Sequence, residues 1–252
     1  MQDYGHYGML NRPCRRNLKE MVDQGITPIG MALAIPSAFM VDIAAVAGFD
    51  YVWVDLEHNV FNPETVTNII RAADAAGMPT MARIAQMDLI LPLLDFGMVG
   101  FTVPHVRNAQ QAREIVDAVK YAPIGNRGFS TSARAMRFGA MPFKDYMEEI
   151  RKEVTVTVII EDNDGIKNVE EILDVPGIDY LGMGPGDISQ ALGHIGDVNH
   201  PDCIKVRDKL TATADKRGIK HYYSGAPINI AEDKVILLSA LTNVVQEYRA
   251  KQ

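Results

Sequence analysis

The sequence predicts an α/β fold, a (β/α)8 TIM barrel, on three observations. Short apolar runs alternate with helix-patterned segments, about eight such runs can be counted, and 252 residues is the size at which α/β barrels fold as one domain. The single domain expected is 1–252, since no Ser/Gly linker, low-complexity tract or composition shift marks a boundary.

In chain order, the runs are Ile29 to Leu33, Tyr51 to Val54, Met81 to Ile84, Gly100 to Val103, Val154 to Ile160 and Tyr180 to Met183, then the weaker Lys220 to Tyr223 and Val235 to Leu238. Each is short and bounded by turn residues, as buried parallel strands are. Between them lie helix patterns at Pro36 to Ala47, Pro63 to Ala76, Asp88 to Phe96, Ala109 to Lys120, Asn163 to Leu173, Pro201 to Lys216 and Leu241 to Lys251. Gly48, Gly77, Gly97 and Gly218 stand where four of these should stop. Tyr121 to Arg151 is too long for one connection and reads as a loop plus a helix, whereas Gly225 to Asp233 is short for a full helix.

Composition excludes several classes. Hydrophobic residues make up 47% and charged residues 23%, with no run long enough to cross a bilayer, so no membrane partner is expected. A net charge of −7 with no basic block argues against nucleic acid. Cys14 and Cys203 are too few for a disulfide framework, and polar residues follow Arg12, Arg15 and Arg16 where a signal peptide needs an apolar core, so a cytoplasmic location is expected. The arginine cluster itself reads as a solvated turn or an anion contact between subunits.

In a barrel, chemistry sits at the C-terminal ends of the strands, so polar residues directly after an apolar run are the candidates. Val52-Trp53-Val54 leads into Asp55, Glu57 and His58; Ala82 leads into Arg83; Ile160 leads into Glu161; and the run Gly182 to Gly186 leads into Asp187. Glu161 and Asp187 are 187 − 161 = 26 residues apart, about one βα repeat, which sets them side by side on adjacent strands. Two carboxylates that close either hold a cation, with an all-oxygen set suiting Mg2+ or Mn2+, or cap the helices that follow them. Arg83 could grip a carboxylate or an enolate oxygen, or pair with Glu57 or Asp55. His58 could shuttle a proton or be structural. His105, His194 and His200 fall in expected loops and are weak candidates, while His6 and His221 lack context. Gly182 to Gly186 has the wrong spacing for a dinucleotide fingerprint, and Pro185 removes an amide, but the remaining amides, Gly186 among them, stay available to a carboxylate. No lysine is placed for Schiff-base chemistry, which favours metal enolisation.

The segments AGFDYVWVDLEH (Ala47 to His58), LLDFGMVGFTVPHV (Leu93 to Val106), AREIVDAVKYAPIGNRGF (Ala112 to Phe129) and DYLGMGPGDISQALGH (Asp179 to His194) carry a resemblance. Over roughly Ile29 to Lys216 the chain resembles the HpcH/HpaI family of metal-dependent class II pyruvate aldolases, whose barrels are of the pyruvate/phosphoenolpyruvate-binding type. The resemblance implies a carbon–carbon lyase that cleaves or forms 4-hydroxy-2-oxo acids through a pyruvate enolate. It implies Glu161 and Asp187 as ligands of Mg2+, Mn2+ or Co2+, Arg83 on the enolate, and His58 as acid/base with Asp55 and Asp95 orienting it. It also implies Arg134 as an acceptor contact, Gly186 and Asp187 in the substrate site, and a hexamer that exchanges its C-terminal helix. Three departures stand out: Leu56 replaces a usual glycine, Ile159 replaces a usual glutamine, and the match fades beyond Arg217. The rival readings are a citrate-lyase-like acyl-CoA lyase and a catalytically silent barrel that binds a 2-oxo acid.

Overall fold

The computed structural model describes residues 17–222 and 230–250. Within them the strands are β1 (Gly30–Leu33), β2 (Tyr51–Asp55), β3 (Thr80–Arg83), β4 (Gly100–Val103), β5 (Thr155–Ile160), β6 (Tyr180–Met183), β7 (Lys220–Tyr222) and β8 (Ile230–Glu232). Eight is the number expected, and seven of the eight lie where the sequence places them. The chain forms two compact units, Met1–Thr80 with Asn229–Gln252, and Met81–Ile228.

In the first unit β1 pairs in parallel with both β2 and β8, with Gly30 opposite Tyr51 and Ile230. Its helices are α1 (Leu18–Asp23), α2 (Phe39–Ala47), α3 (Pro63–Ala75) and α10 (Asp233–Arg249). Asn62 caps α3 by accepting the amide of Thr65, with Pro63 at the first helical position where its missing N–H costs nothing. Gly48 ends α2 at φ 92°, a left-handed conformation that a side chain would strain.

One element corrects the sequence reading. Val235 to Leu238, expected as the eighth strand, lies inside α10, and the strand is Ile230–Glu232 just before it. Four apolar residues in a row fit a strand and a helix equally, and here the apolar pattern runs on through Leu241, Val244 and Val245 at helical spacing. Asp233 fixes the junction: buried to 1% exposure, it accepts the amides of Ala34, Ile35 and Lys234 at 3.1, 3.0 and 2.6 Å. The helix expected at Leu241 to Lys251 is, as far as Arg249, the remainder of α10, and Lys251 lies outside the described residues.

In the second unit β3-β4-β5-β6-β7 pair in parallel in that order. The helices are α4 (Ile90–Phe96), α5 (Ala109–Val119), α6 (Phe143–Glu153), α7 (Asn163–Leu173), α8 (Pro185–Ala191) and α9 (Pro201–Asp215). The long segment before β5 holds a 3-10 stretch, Arg134–Gly139, and then α6, as expected. Strands β4, β5 and β6 are buried along their length, β5 at all six positions, so they read as near-continuous apolar runs rather than alternating ones, whereas β7 is exposed or half-buried. Gly100 is glycine because an added Cβ would meet Thr155 Oγ1 and the Met81 side chain at 2.5 and 2.6 Å. Helix α8 is not among the helix patterns of the sequence, where two glycines flank Pro185. Pro185 is in fact at its first helical position.

Candidate active site

The second unit brings Glu161 and Asp187 to one cavity of about 370 Å3, lined also by His105, Arg107, Asp162 and Gln190. Register explains the meeting. Ile160 stands opposite Met183 across the β5–β6 pair, so Glu161 and Gly184 emerge side by side, and the first turn of α8 carries Asp187 back over them.

Glu161 is 4% exposed, a deep burial for a carboxylate, and its position is held from two sides. Its Oε1 accepts the backbone amide of His105 at 2.9 Å, with the His105 Nδ1 at 3.4 Å from the same oxygen. Its Oε2 lies against Gly184 so closely that a Cβ there would fall on it. His105 has φ 55°, unusual for a side-chain-bearing residue, and this conformation aims its amide at the carboxylate. The sequence reading left His105 as a weak loop candidate, although it follows β4 directly and the strand-end rule would have singled it out.

The capping alternative is answered separately for the two acids. Asp162, not Glu161, caps α7, accepting the amide of Gly165 at 2.9 Å, while its other oxygen takes the Nε of Arg107 at 2.7 Å. That bond and the carboxylate charge raise the pKa of Arg107. Asp187 lies within α8, two residues past its start, and is half-buried at the cavity. Glu161, Asp162, Asp164 and Asp187 are four carboxylates around one cavity, against one guanidinium, Arg107. Such a field favours a cation, and the all-oxygen donors suit Mg2+ or Mn2+. The residues present therefore fit a divalent metal. A Cβ added at Gly186 would meet nothing within 4 Å.

Arg83 is half-buried at the end of β3, and Arg134 lies over the Phe96 ring at 5.1 Å and donates from Nη1 to the Phe96 carbonyl at 2.7 Å. Neither is among the residues lining the cavity. Asp95 accepts Nη2 of Arg127 at 3.0 Å; that guanidinium is fully buried and also donates to the Tyr146 hydroxyl. Ile159, where a glutamine was expected by resemblance, is buried to 1% in β5.

In the first unit Asp55, 5% exposed at the end of β2, organises the turn that carries His58. It accepts the amides of Glu57 and His58 at 3.2 and 3.4 Å and the Asn59 side chain at 2.8 Å. The sequence reading had Asp55 orient the imidazole. The carboxylate holds the His58 backbone, and the ring, 59% exposed, has its Nε2 at 3.6 Å from Glu57.

Comparison with known proteins decides the family. The model of the HpcH/HpaI aldolase/citrate lyase family matches residues 29–234. The chain belongs to this family. It is 39% identical to a 2-dehydro-3,6-dideoxy-6-sulfogluconate aldolase of Pseudomonas putida over 72% of this chain and 71% of that protein. It is 36% identical to a 2-keto-3-deoxy-L-rhamnonate aldolase of Klebsiella pneumoniae subsp. pneumoniae over 79% and 73%. Among solved structures, an HpcH/HpaI aldolase from Desulfitobacterium hafniense DCB-2 is similar with a TM-score of 0.83 and 28% identity, covering 92% of this chain and 96% of that one. The fold class is thus the α/β, (β/α)8-barrel type expected, and the chain is an enzyme of the carbon–carbon lyase class for which its curated relatives are named.

Proposed function

We propose that this lyase is a divalent-metal aldolase that splits or forms 4-hydroxy-2-oxo acids, with pyruvate as the 2-oxo product and a sugar-derived aldehyde as the other. The observation that carries the reading is the pair Glu161 and Asp187 at one acidic cavity, the first buried and fixed by the His105 amide and the close approach of Gly184. The two carboxylates would hold Mg2+, Mn2+ or Co2+, which when bound supplies Lewis acidity to the keto and carboxylate oxygens of the substrate.

In the cleavage direction, the 4-hydroxyl gives up a proton, its O–H electrons form the aldehyde carbonyl, and the C3–C4 pair is left on the pyruvate fragment, which then takes a proton at C3. His58, solvent-accessible beside Glu57, is the residue assigned to the hydroxyl proton, and Arg83 to the negative charge that develops on the 2-oxo fragment. Asp55 serves by fixing the His58 turn. The substrate class follows the relatives, which are named for keto-deoxy sugar acids. The test is pyruvate release from a 2-keto-3-deoxy sugar acid in the presence of Mn2+. Release above the metal-free background supports the reading; no turnover of any 4-hydroxy-2-oxo acid overturns it.

The same reading includes a homo-oligomer, a hexamer by family resemblance, in the cytoplasm. Val235, Leu238, Leu241 and Tyr248 of α10 are each more than half exposed, and an apolar helix face of that extent calls for a covering surface. Light scattering checks it: a monomeric mass contradicts the reading. No described helix is long and apolar enough to cross a membrane.

A further inference from the structure

Of the described residues that line the active-site cavity, Arg107 alone carries a guanidinium, set among Glu161, Asp162, Asp164 and Asp187. A cation there weakens the hold of the carboxylates on a divalent ion. Its position is nevertheless built with care. The Arg107 amide donates to Gln111 Oε1 at 2.9 Å and its carbonyl accepts Asn168 Nδ2 at 2.9 Å, so the backbone is tied on both sides. The side chain is tied at Nε, which donates to Asp162 Oδ2 at 2.7 Å. Asp162 is held in turn, because its other oxygen caps α7 through the Gly165 amide at 2.9 Å.

This uses one of the five N–H groups of the guanidinium. Neither Nη1 nor Nη2 of Arg107 bonds to any of the described residues, and the side chain is 56% exposed. A planar fork oriented by its neighbours, with its outer donors unused, is preorganised for a carboxylate or sulfonate. Its distance from the carboxylate pair is bounded. Glu161 Oε1 is 3.4 Å from His105 Nδ1, that nitrogen is 3.8 Å from Asp162 Oδ2, and Asp162 Oδ2 is 2.7 Å from Arg107 Nε. The guanidinium is therefore no farther from Glu161 than these three steps laid end to end. A six-carbon 2-oxo acid spans about 5 Å from C2 to C6, and a metal–oxygen bond of about 2 Å and a hydrogen bond of about 2.9 Å extend its reach at the two ends. That reach covers the gap.

We infer that Arg107 is a specificity-determining residue, which takes an anionic group, a carboxylate or sulfonate, at the far end of the aldehyde-derived half of the substrate. The inference rests on the proposed function, which puts the 2-oxo group at the ion, and narrows its substrates to 4-hydroxy-2-oxo acids with a second acidic group. The fork holds that group by paired N–H···O bonds while the ion holds the first carboxylate, so each negative charge of the substrate meets a positive one in a cavity that otherwise repels anions.

The test compares 2-oxoadipate with 2-oxohexanoate by calorimetry on the Mn2+-loaded protein. Neither has the 4-hydroxyl that cleavage needs, both offer the same groups to the ion, and only the first ends in a carboxylate. The ratio of their dissociation constants therefore isolates that end. We expect wild type to favour 2-oxoadipate about 10-fold or more, and Arg107→Gln to bring the ratio to about one or below. Arg107→Lys keeps the charge without the fork and should retain only part of the preference. Equal affinities in wild type, or a ratio untouched in Arg107→Gln, overturn the inference and leave Arg107 as a counter-ion of Asp162. Full preference in Arg107→Lys overturns the fork contact in favour of charge alone. Failure of both acids to bind wild type overturns the proposed function, and the inference with it.

Discussion

Replacing Gly184 by alanine probes the active site through a single methyl group. Gly184 has φ −87° and ψ 95°, a conformation any residue adopts, so the backbone tolerates the change. The whole effect must then come from the new Cβ, which would fall on Glu161 Oε2. Glu161 cannot give way freely, because its Oε1 is held by the His105 amide at 2.9 Å and its side chain is buried. Forcing a methyl into such a contact costs about 1–3 kcal/mol, and if that strain is relieved by turning the carboxylate off the cavity, it appears as lost metal affinity of about 5- to 150-fold. Mn2+ titration followed by electron paramagnetic resonance measures it directly. Affinity equal to wild type in a folded Gly184→Ala protein would refute the idea that Oε2 faces the ion.

Three further outcomes are expected. His58→Ala should slow retro-aldol cleavage on the order of 10²-fold while leaving Mn2+-dependent pyruvate affinity intact by calorimetry; unimpaired cleavage removes His58 from the reaction. Asp233→Ala strands the amides of Ala34, Ile35 and Lys234 and should lower stability by about 3 kcal/mol, read as a drop in Tm on the order of 6–12 °C; an unchanged Tm contradicts its role as the β8–α10 anchor. Arg217 bonds to Asp174 and lowers its pKa from the usual 3.8, so that part of the pair's stability is present at neutral pH and lost as pH falls through the folded value. The stability gap between wild type and Arg217→Ala should therefore narrow in acid toward the residual set by its carbonyl bonds to Thr213 and Glu170, and a gap that widens would reverse the sign.

Much of the fold was legible because buried parallel strands leave continuous apolar runs, and the spacing of Glu161 and Asp187 by one βα repeat foretold their shared cavity. The eighth strand was misplaced because Val235 to Leu238 satisfies either period, and the deciding contact, Asp233 on the Ala34 and Ile35 amides, spans about two hundred residues of sequence. Helix α8 was hidden by two glycines around Pro185. The grip of His105 on Glu161 depends on one left-handed residue, which no sequence pattern announces. For Asp55, the resemblance implied a link to His58, and the bond to the His58 backbone amide is set by the turn after β2 rather than by any pattern in the sequence.

The central claim is that Glu161 and Asp187 hold a divalent ion that makes the protons beside a keto group exchangeable. It is tested most directly by following deuterium entry into the pyruvate methyl group by NMR, before and after chelation. The account predicts that excess EDTA stops enzyme-dependent exchange, that Mn2+, Mg2+ or Co2+ restores it in the wild type, and that the same additions fail in Glu161→Gln and Asp187→Asn. Exchange that continues undiminished in EDTA, or full restoration in either variant, would contradict it.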